Sequence, residues 1–154
     1  MLPKHILVPT DLSEGADQAL DYACELARTL GAQIHLLHVI GIPTMGVPEL
    51  GLAVTTTVMD DMVLDSQEAI ARLAKTKCDA QVGEVLVRTG DARDVINQTA
   101  KELGIDLIVM GTHGRRGISR ALLGSVAETV VRSAPCAVLT VRLTEAGDRD
   151  RNAA

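Results

Sequence analysis

The sequence predicts an α/β domain built on a single open, five-stranded parallel sheet with helices on both faces. Two observations predict it. Five short apolar runs, at residues 5–9, 34–39, 82–87, 107–110 and 136–141, are rich in Val, Ile and Leu with little alternation, as strands buried on both sides are. Between them lie segments of helical periodicity, and strands that alternate with helices build βαβ units and hence a parallel sheet. A chain of 154 residues accommodates one such domain and buries enough surface to need no covalent staples.

The first strand passes into a helix whose apolar stripe is Ala16, Ala19, Leu20, Ala23, Leu26, Ala27 and Leu30, with Gly31 placed as its stop. A second helix is predicted over residues 54–77. In the third, Val95, Ile96, Thr99, Ala100 and Leu103 share a face that Gly104 ends, and a fourth over 125–133 stops before Pro135. Residues 41–53 and 111–123 are the two long irregular connections, a length that usually carries function. Residues 1–143 therefore form the domain and 144–154 a polar tail.

Composition excludes several classes. The net charge of −5, from 15 Lys+Arg against 20 Asp+Glu, argues against a nucleic-acid surface. Tyr22 is the sole aromatic among Phe, Trp and Tyr, so no stacking platform for single strands exists. Cys24, Cys78 and Cys136 are odd in number and in no CxxC pair, which reads as three small hydrophobes in a reducing compartment rather than a disulfide or zinc framework. No segment resembles a signal peptide or reaches membrane-spanning length. The expected location is cytoplasmic.

The most informative stretch is GTHGRRGISRALLGS, residues 111–125, with four glycines and three arginines after an apolar strand and no acidic residue. Ser125 with Glu128 three residues on matches a capping box, placing Gly124 and Ser125 at a helix N-terminus. The free N–H groups and dipole of such an end attract anions, and Arg115, Arg116 and Arg120 add positive charge. A phosphate-binding loop accounts for all three features. The P-loop GxxxxGK[ST] is absent, as is a GxGxxG after the first strand.

The spacing Gly111-x2-Gly114-x9-Gly124-Ser125 resembles the G-x2-G-x9-G-[S/T] motif of the ATP-binding branch of the universal stress protein family. The likeness extends along the chain, through HILVPTDLSEGADQAL, IHLLHVI and CAVLTV. It implies a Rossmann-like sheet of order 3-2-1-4-5, with a ligand crevice where the strand order reverses. By position, it assigns Gly111, Gly114, Gly124, Ser125 and Val126 to the phosphates and ribose of ATP, with or without Mg2+. Pro9, Thr10, Asp11 and Val39 fall to the adenosine end, with Met110, His113 and Arg115 beside the same loop.

Plainer readings exist. Asp11 with Glu14 resembles a capping box for the first helix, Ser125 can be a plain N-cap, and Met110 with Met45, Met59 and Met62 can be gap-fillers. His113 has no neighbouring carboxylate to orient it as a base, and His35 and His38 face opposite sides of their strand. The expected function is an ATP-binding stress-response or regulatory protein. The alternatives are a slow ATP hydrolase or nucleotidyl/phosphoryl transferase, with Asp11 as its metal carboxylate, or an interaction module that binds no nucleotide. The edge strand at 136–141 is apolar on both faces, Ala137 and Leu139 on one and Cys136, Val138 and Thr140 on the other. It therefore predicts a homodimer joined through that edge.

Overall fold

The computed structural model describes residues 2–41, 52–78, 81–112 and 124–142, with the backbone alone described over 52–57. In chain order the elements are β1 (His5–Thr10), α1 (Glu14–Leu30), β2 (Gln33–Ile40), α2 (Leu52–Lys77), β3 (Val82–Thr89), α3 (Ala92–Glu102), β4 (Leu107–Gly111), α4 (Ser125–Ser133) and β5 (Ala137–Val141). The strands form one parallel sheet of order β3-β2-β1-β4-β5. The apolar runs and helical stripes thus become the predicted elements, with α2 starting at Leu52, two residues earlier than its periodicity indicates. The 144–154 tail lies outside the described residues.

Alternation along the strands divides the core. Ile6, Val8, Ile34, Leu36 and Val109 pack under α1 and α2, against Leu20, Ala23, Ala27, Ile70 and Ala74. Leu7, Leu37, Ile108 and Met110 pack under α3 and α4, against Ile96, Ala100, Ala127 and Val130. Both faces of the central strands are consequently dry, which is why these strands lack polar alternation. Gly31 ends α1 in the left-handed conformation at φ 63°, with its N–H on the Ala27 carbonyl, as the sequence predicts.

The N-terminal end of the sheet is tied by polar groups. Asp106 Oδ2 accepts the backbone N–H groups of Lys4 and His5 at 2.8 and 3.0 Å. Those two backbone hydrogen bonds hold its carboxyl below the usual aspartate range. Across the β1–β2 pair, His5 Nδ1 and His35 Nε2 are 3.2 Å apart, and His35 Nδ1 lies 3.1 Å from the Glu84 amide nitrogen. A backbone N–H can only donate, so His35 Nδ1 accepts; its Nε2 carries the proton and donates to His5. The ring is pressed against Gly83, where an added Cβ would meet it at 2.7 Å. A neutral His35 thereby laces β1, β2 and β3 together.

One expectation is corrected. Cys24 and Cys78 are not separate small hydrophobes: they form a disulfide, with Cα atoms 5.5 Å apart and a sequence separation of 54. Cys24 lies on the buried face of α1, and Cys78 lies just beyond α2, so core packing brings them together. Lys77 reinforces the seam through Asp21 at 2.9 Å and Asp17 at 3.6 Å. No CxxC spacing could announce a pair made by tertiary packing.

Two outcomes follow from these ties. Thiol titration of the unfolded, air-purified protein is expected to find one free cysteine, Cys136, rising to three after reduction. Reduction should lower stability by roughly 2–4 kcal/mol in urea unfolding; three free thiols from the start would refute the bridge. His35 is also held below its ordinary 6.5, chiefly by burial and then by His5, against an upward pull from Glu84. The unfolded chain therefore takes up that proton first, so the stability contribution is complete above 6.5 and declines as the pH falls below it. The urea midpoint should fall between about pH 7.5 and 5.5, and by less in His35→Gln.

Candidate functional site

At the C-terminal end of the sheet, β1 and β4 part. Their registered pairs are Ile6↔Leu107 and Leu7↔Ile108, whereas β1 stays paired to β2 as far as Thr10↔His38. Pro9 follows this parting; a proline is tolerated in a central strand where a ladder bond is not required of it. The connections from the two strands also leave in opposite directions, β1 leading through α1 to β2 and β4 leading through α4 to β5. Open α/β sheets bind ligands in the crevice that this reversal creates.

The β1 side of the crevice is a tight polar turn. Asp11 does not cap α1; the N-cap is Ser13, whose hydroxyl accepts the Ala16 N–H at 3.3 Å. Asp11 Oδ1 instead accepts the Ser13 amide at 3.1 Å and the Ser13 hydroxyl at 2.5 Å. The Asp11–Glu14 capping-box expectation is therefore wrong by two residues, because Asp and Ser at successive alternate positions both suit this role. Leu12, between them, has φ 62°, a conformation that disfavours a side chain by roughly 1–2 kcal/mol. Strain of this kind persists where surrounding bonds over-determine the backbone, and such places cluster at ligand sites.

On the β4 side, Gly111 has a steric reason for being glycine. A Cβ there would lie 3.0 Å from the Gly15 carbonyl oxygen and 3.2 Å from its carbon. The start of α1 thus packs directly on the end of β4, backbone to backbone. After β4, the Thr112 N–H donates to the Val141 carbonyl at 3.0 Å, and the Gly124 N–H donates to the Thr112 carbonyl at 2.8 Å. The ends of the glycine-rich connection are therefore bonded to each other. Gly124 is the N-cap of α4, with φ −61° and ψ 149°, and no side-chain cap bond is made there among the described residues. Ser125 is accordingly its first helical residue and is exposed, not the N-cap that the capping-box pattern indicates. Gly124 has no side chain with which to occupy the first-turn N–H groups of α4, and N–H groups at a helix start are of the kind that suit an anion.

Other expected residues occupy this end in different ways. Thr10 is buried, with its hydroxyl accepting the Leu12 N–H at 3.0 Å. Val39 is half-buried on β2, one residue beyond the last β1 pair, and Val126 is half-buried on the first turn of α4. Met110 is buried in the α3–α4 core, so its side chain is a packing group. His113, Gly114 and Arg115 lie outside the described residues. Residues that the sequence reading missed are Ser13, the strained Leu12, and Gly15 as the counterpart of Gly111. His38, whose ring Nδ1 lies 2.8 Å from the Thr10 carbonyl oxygen, was missed as well. The Asp-x-Ser spacing with a glycine two residues on held the local part of that signal.

Known proteins place this arrangement. A model of the universal stress protein family matches residues 3–142. Universal stress protein MJ0531 of Methanocaldococcus jannaschii is 34% identical over 146 residues, covering 92% of this chain and 83% of that protein. Universal stress protein A homolog 2 of Coxiella burnetii is 33% identical, covering 91% and 95%. Among solved structures, UspA from Lactobacillus plantarum superposes with a TM-score of 0.77 at 28% identity, over 90% of this chain and 97% of that one. A universal stress protein in complex with cAMP shares the fold at TM-score 0.65 and 23% identity, over 94% and 100%.

The contact between Gly111 and Gly15 gives a direct test. Gly111→Ala should destabilise the protein by about 1–3 kcal/mol in urea unfolding, since the atoms it meets are backbone and cannot swing aside. An unchanged midpoint would mean that α1 does not rest on β4 in this way.

Proposed function

The chain belongs to the universal stress protein family, and we propose that it binds an adenine nucleotide, ATP, in the crevice between β1 and β4 and acts as a stress-response or regulatory factor. The observation that carries this reading is a coincidence of motif and geometry. Gly111 and Gly124, the outer glycines of the G-x2-G-x9-G-[S/T] spacing, stand at the two ends of a connection that closes on itself beside the crevice. The first turn of α4 fits a phosphate: it has no side-chain cap, and its N–H groups and dipole suit negative charge.

Gly124 supports the same reading in another way. Its φ of −61° is one that any residue adopts, so backbone conformation does not demand glycine there, and we read the position as room for the ligand. Gly114, His113 and Arg115 are assigned to the phosphates by the motif, with Ser125 and Val126 beside them. Asp11, Thr10, Pro9 and Val39 fall to the adenosine end. The phosphates are read as bound with or without Mg2+, and turnover is expected to be slow. That this fold admits an adenine nucleotide is supported by the relative solved with cAMP.

We further read the protein as a cytoplasmic homodimer. β5 is an edge of the sheet, and Val138 and Leu139 leave it half-buried on opposite faces. A second copy pairing on this edge would satisfy its backbone under two-fold symmetry. In a reducing compartment the Cys24–Cys78 pair would spend much of its time as two thiols.

Native mass spectrometry tests ligand and assembly together, the expected species being a dimer with one adenine nucleotide per chain. Gly124→Val should lower ATP affinity in calorimetry at least tenfold, about 1.4 kcal/mol, with the urea midpoint little changed. Native protein that neither carries nor takes up ATP would refute the nucleotide reading, and a monomer at tens of micromolar would refute the edge pairing.

A further inference from the structure

His38 is a polar side chain in an apolar layer. It stands on β2 between Leu36 and Ile40 on the face that packs under α1 and α2, and is 8% exposed. An aliphatic side chain would fill that space without bringing a polar ring out of water, so the ring needs a reason. Its Nδ1 is 2.8 Å from the carbonyl oxygen of Thr10. A carbonyl only accepts, so Nδ1 carries the proton and donates it. The bond lands on the last residue of β1 that β2 registers.

At this residue β1 has already left β4, because their pairs end at Leu7↔Ile108. The lip of β1 is thus held from the β2 side. Thr10 is fixed at both its ends of polarity: its carbonyl by His38, and its hydroxyl by the Leu12 amide at 3.0 Å. From there the bonds continue to α1, with Ser13 on Asp11 and the Ala16 amide on Ser13. Leu12, at φ 62°, sits in the middle of this sequence of bonds. A strained residue keeps its conformation only while its neighbours are fixed.

We propose that His38 is a positioning residue: its imidazole N–H clamps the Thr10 carbonyl, holds the β1 lip away from β4, and so presets the Asp11 turn to receive the nucleoside end of the nucleotide. The role in binding rests on the nucleotide reading above; the clamp itself does not. No contact between His38 and the ligand is required. Its contribution is preorganisation, which lowers the ordering that binding would otherwise demand of the lip.

The test compares three variants by calorimetry with ATP and by amide hydrogen exchange across residues 10–16. An Asn amide nitrogen stands near the place of imidazole Nδ1, whereas a Gln nitrogen reaches one bond farther. His38→Asn should bind ATP within threefold of the native protein and keep native exchange. His38→Gln and His38→Leu should bind at least tenfold more weakly and exchange faster at the Leu12 and Ser13 amides. A residue that only fills the core would lower thermal stability in all three, without distinguishing Asn from Gln in either measurement. That result would overturn the proposal, as would native affinity and exchange in His38→Leu. Should His38→Leu not fold, the Asn–Gln comparison decides. If native protein binds no ATP, the nucleotide reading fails, and faster exchange confined to the Gln and Leu variants still upholds the clamp.

Discussion

The parting of β1 from β4 is the constraint on which the rest of this structure depends. Two central strands of a parallel sheet share a ladder only through Ile6↔Leu107 and Leu7↔Ile108, and then diverge. Beyond that point each strand keeps a sheet partner only on its outer side, β1 on β2 as far as Thr10↔His38 and β4 on β5 as far as Gly111↔Val141. The start of α1 leans on the bare backbone of Gly111 through Gly15. The end of β4 continues to β5 through the Thr112 N–H, and the Thr112 carbonyl receives the start of α4 at Gly124. The crevice is therefore walled by helix starts and strand ends whose polar groups are fixed by short-range bonds. Such preset walls are what a binding site between strands requires.

Glycines that share one sequence motif turn out to have different physical grounds. Gly111 is small because the Gly15 carbonyl would lie 3.0 Å from any Cβ it carried, which is a packing demand. Gly124 has an ordinary φ of −61° and makes no side-chain cap, so backbone handedness does not explain it. The motif read as a string treats the two alike. Packing alone accounts for Gly111, whereas Gly124 is the position at which the proposed ligand is the one stated reason for glycine.

Much of the architecture was legible because it is written in local periodicity. The Val-, Ile- and Leu-rich runs became strands, and the Ala-rich stripe from Ala16 to Leu30 became the buried face of α1 with Gly31 at its end. The spacing of Gly111, Gly114 and Gly124, with the strands around it, carried the family resemblance, and the sheet order came only through that resemblance. What failed was finer or longer in range. Asp11, Ser13 and Ser125 are all competent caps by type, and only geometry decides that Ser13 caps α1 and Gly124 heads α4. The Cys24–Cys78 bridge spans 54 residues, and the His5–His35 and His38–Thr10 bonds cross between strands. No local window contains either partner's reason for being there.

The two ends of the sheet are built differently. At the N-terminal end, Asp106 gathers the Lys4 and His5 amides, and His35 joins His5 to the Glu84 amide. Each of these bonds completes a polar group and tightens neighbouring strands, and the left-handed residues at this end, Gly31 and Gly104 at φ 63° and 60°, are glycines that take that conformation without a side-chain penalty. At the C-terminal end the local rules are broken in three places. A proline stands in a central strand, a leucine takes φ 62°, and α4 begins without a side-chain cap. Departures of this kind lower stability unless something compensates, and in natural domains they gather where ligands bind. The asymmetry thus supports, without the motif, the end of the sheet at which the nucleotide is proposed to bind.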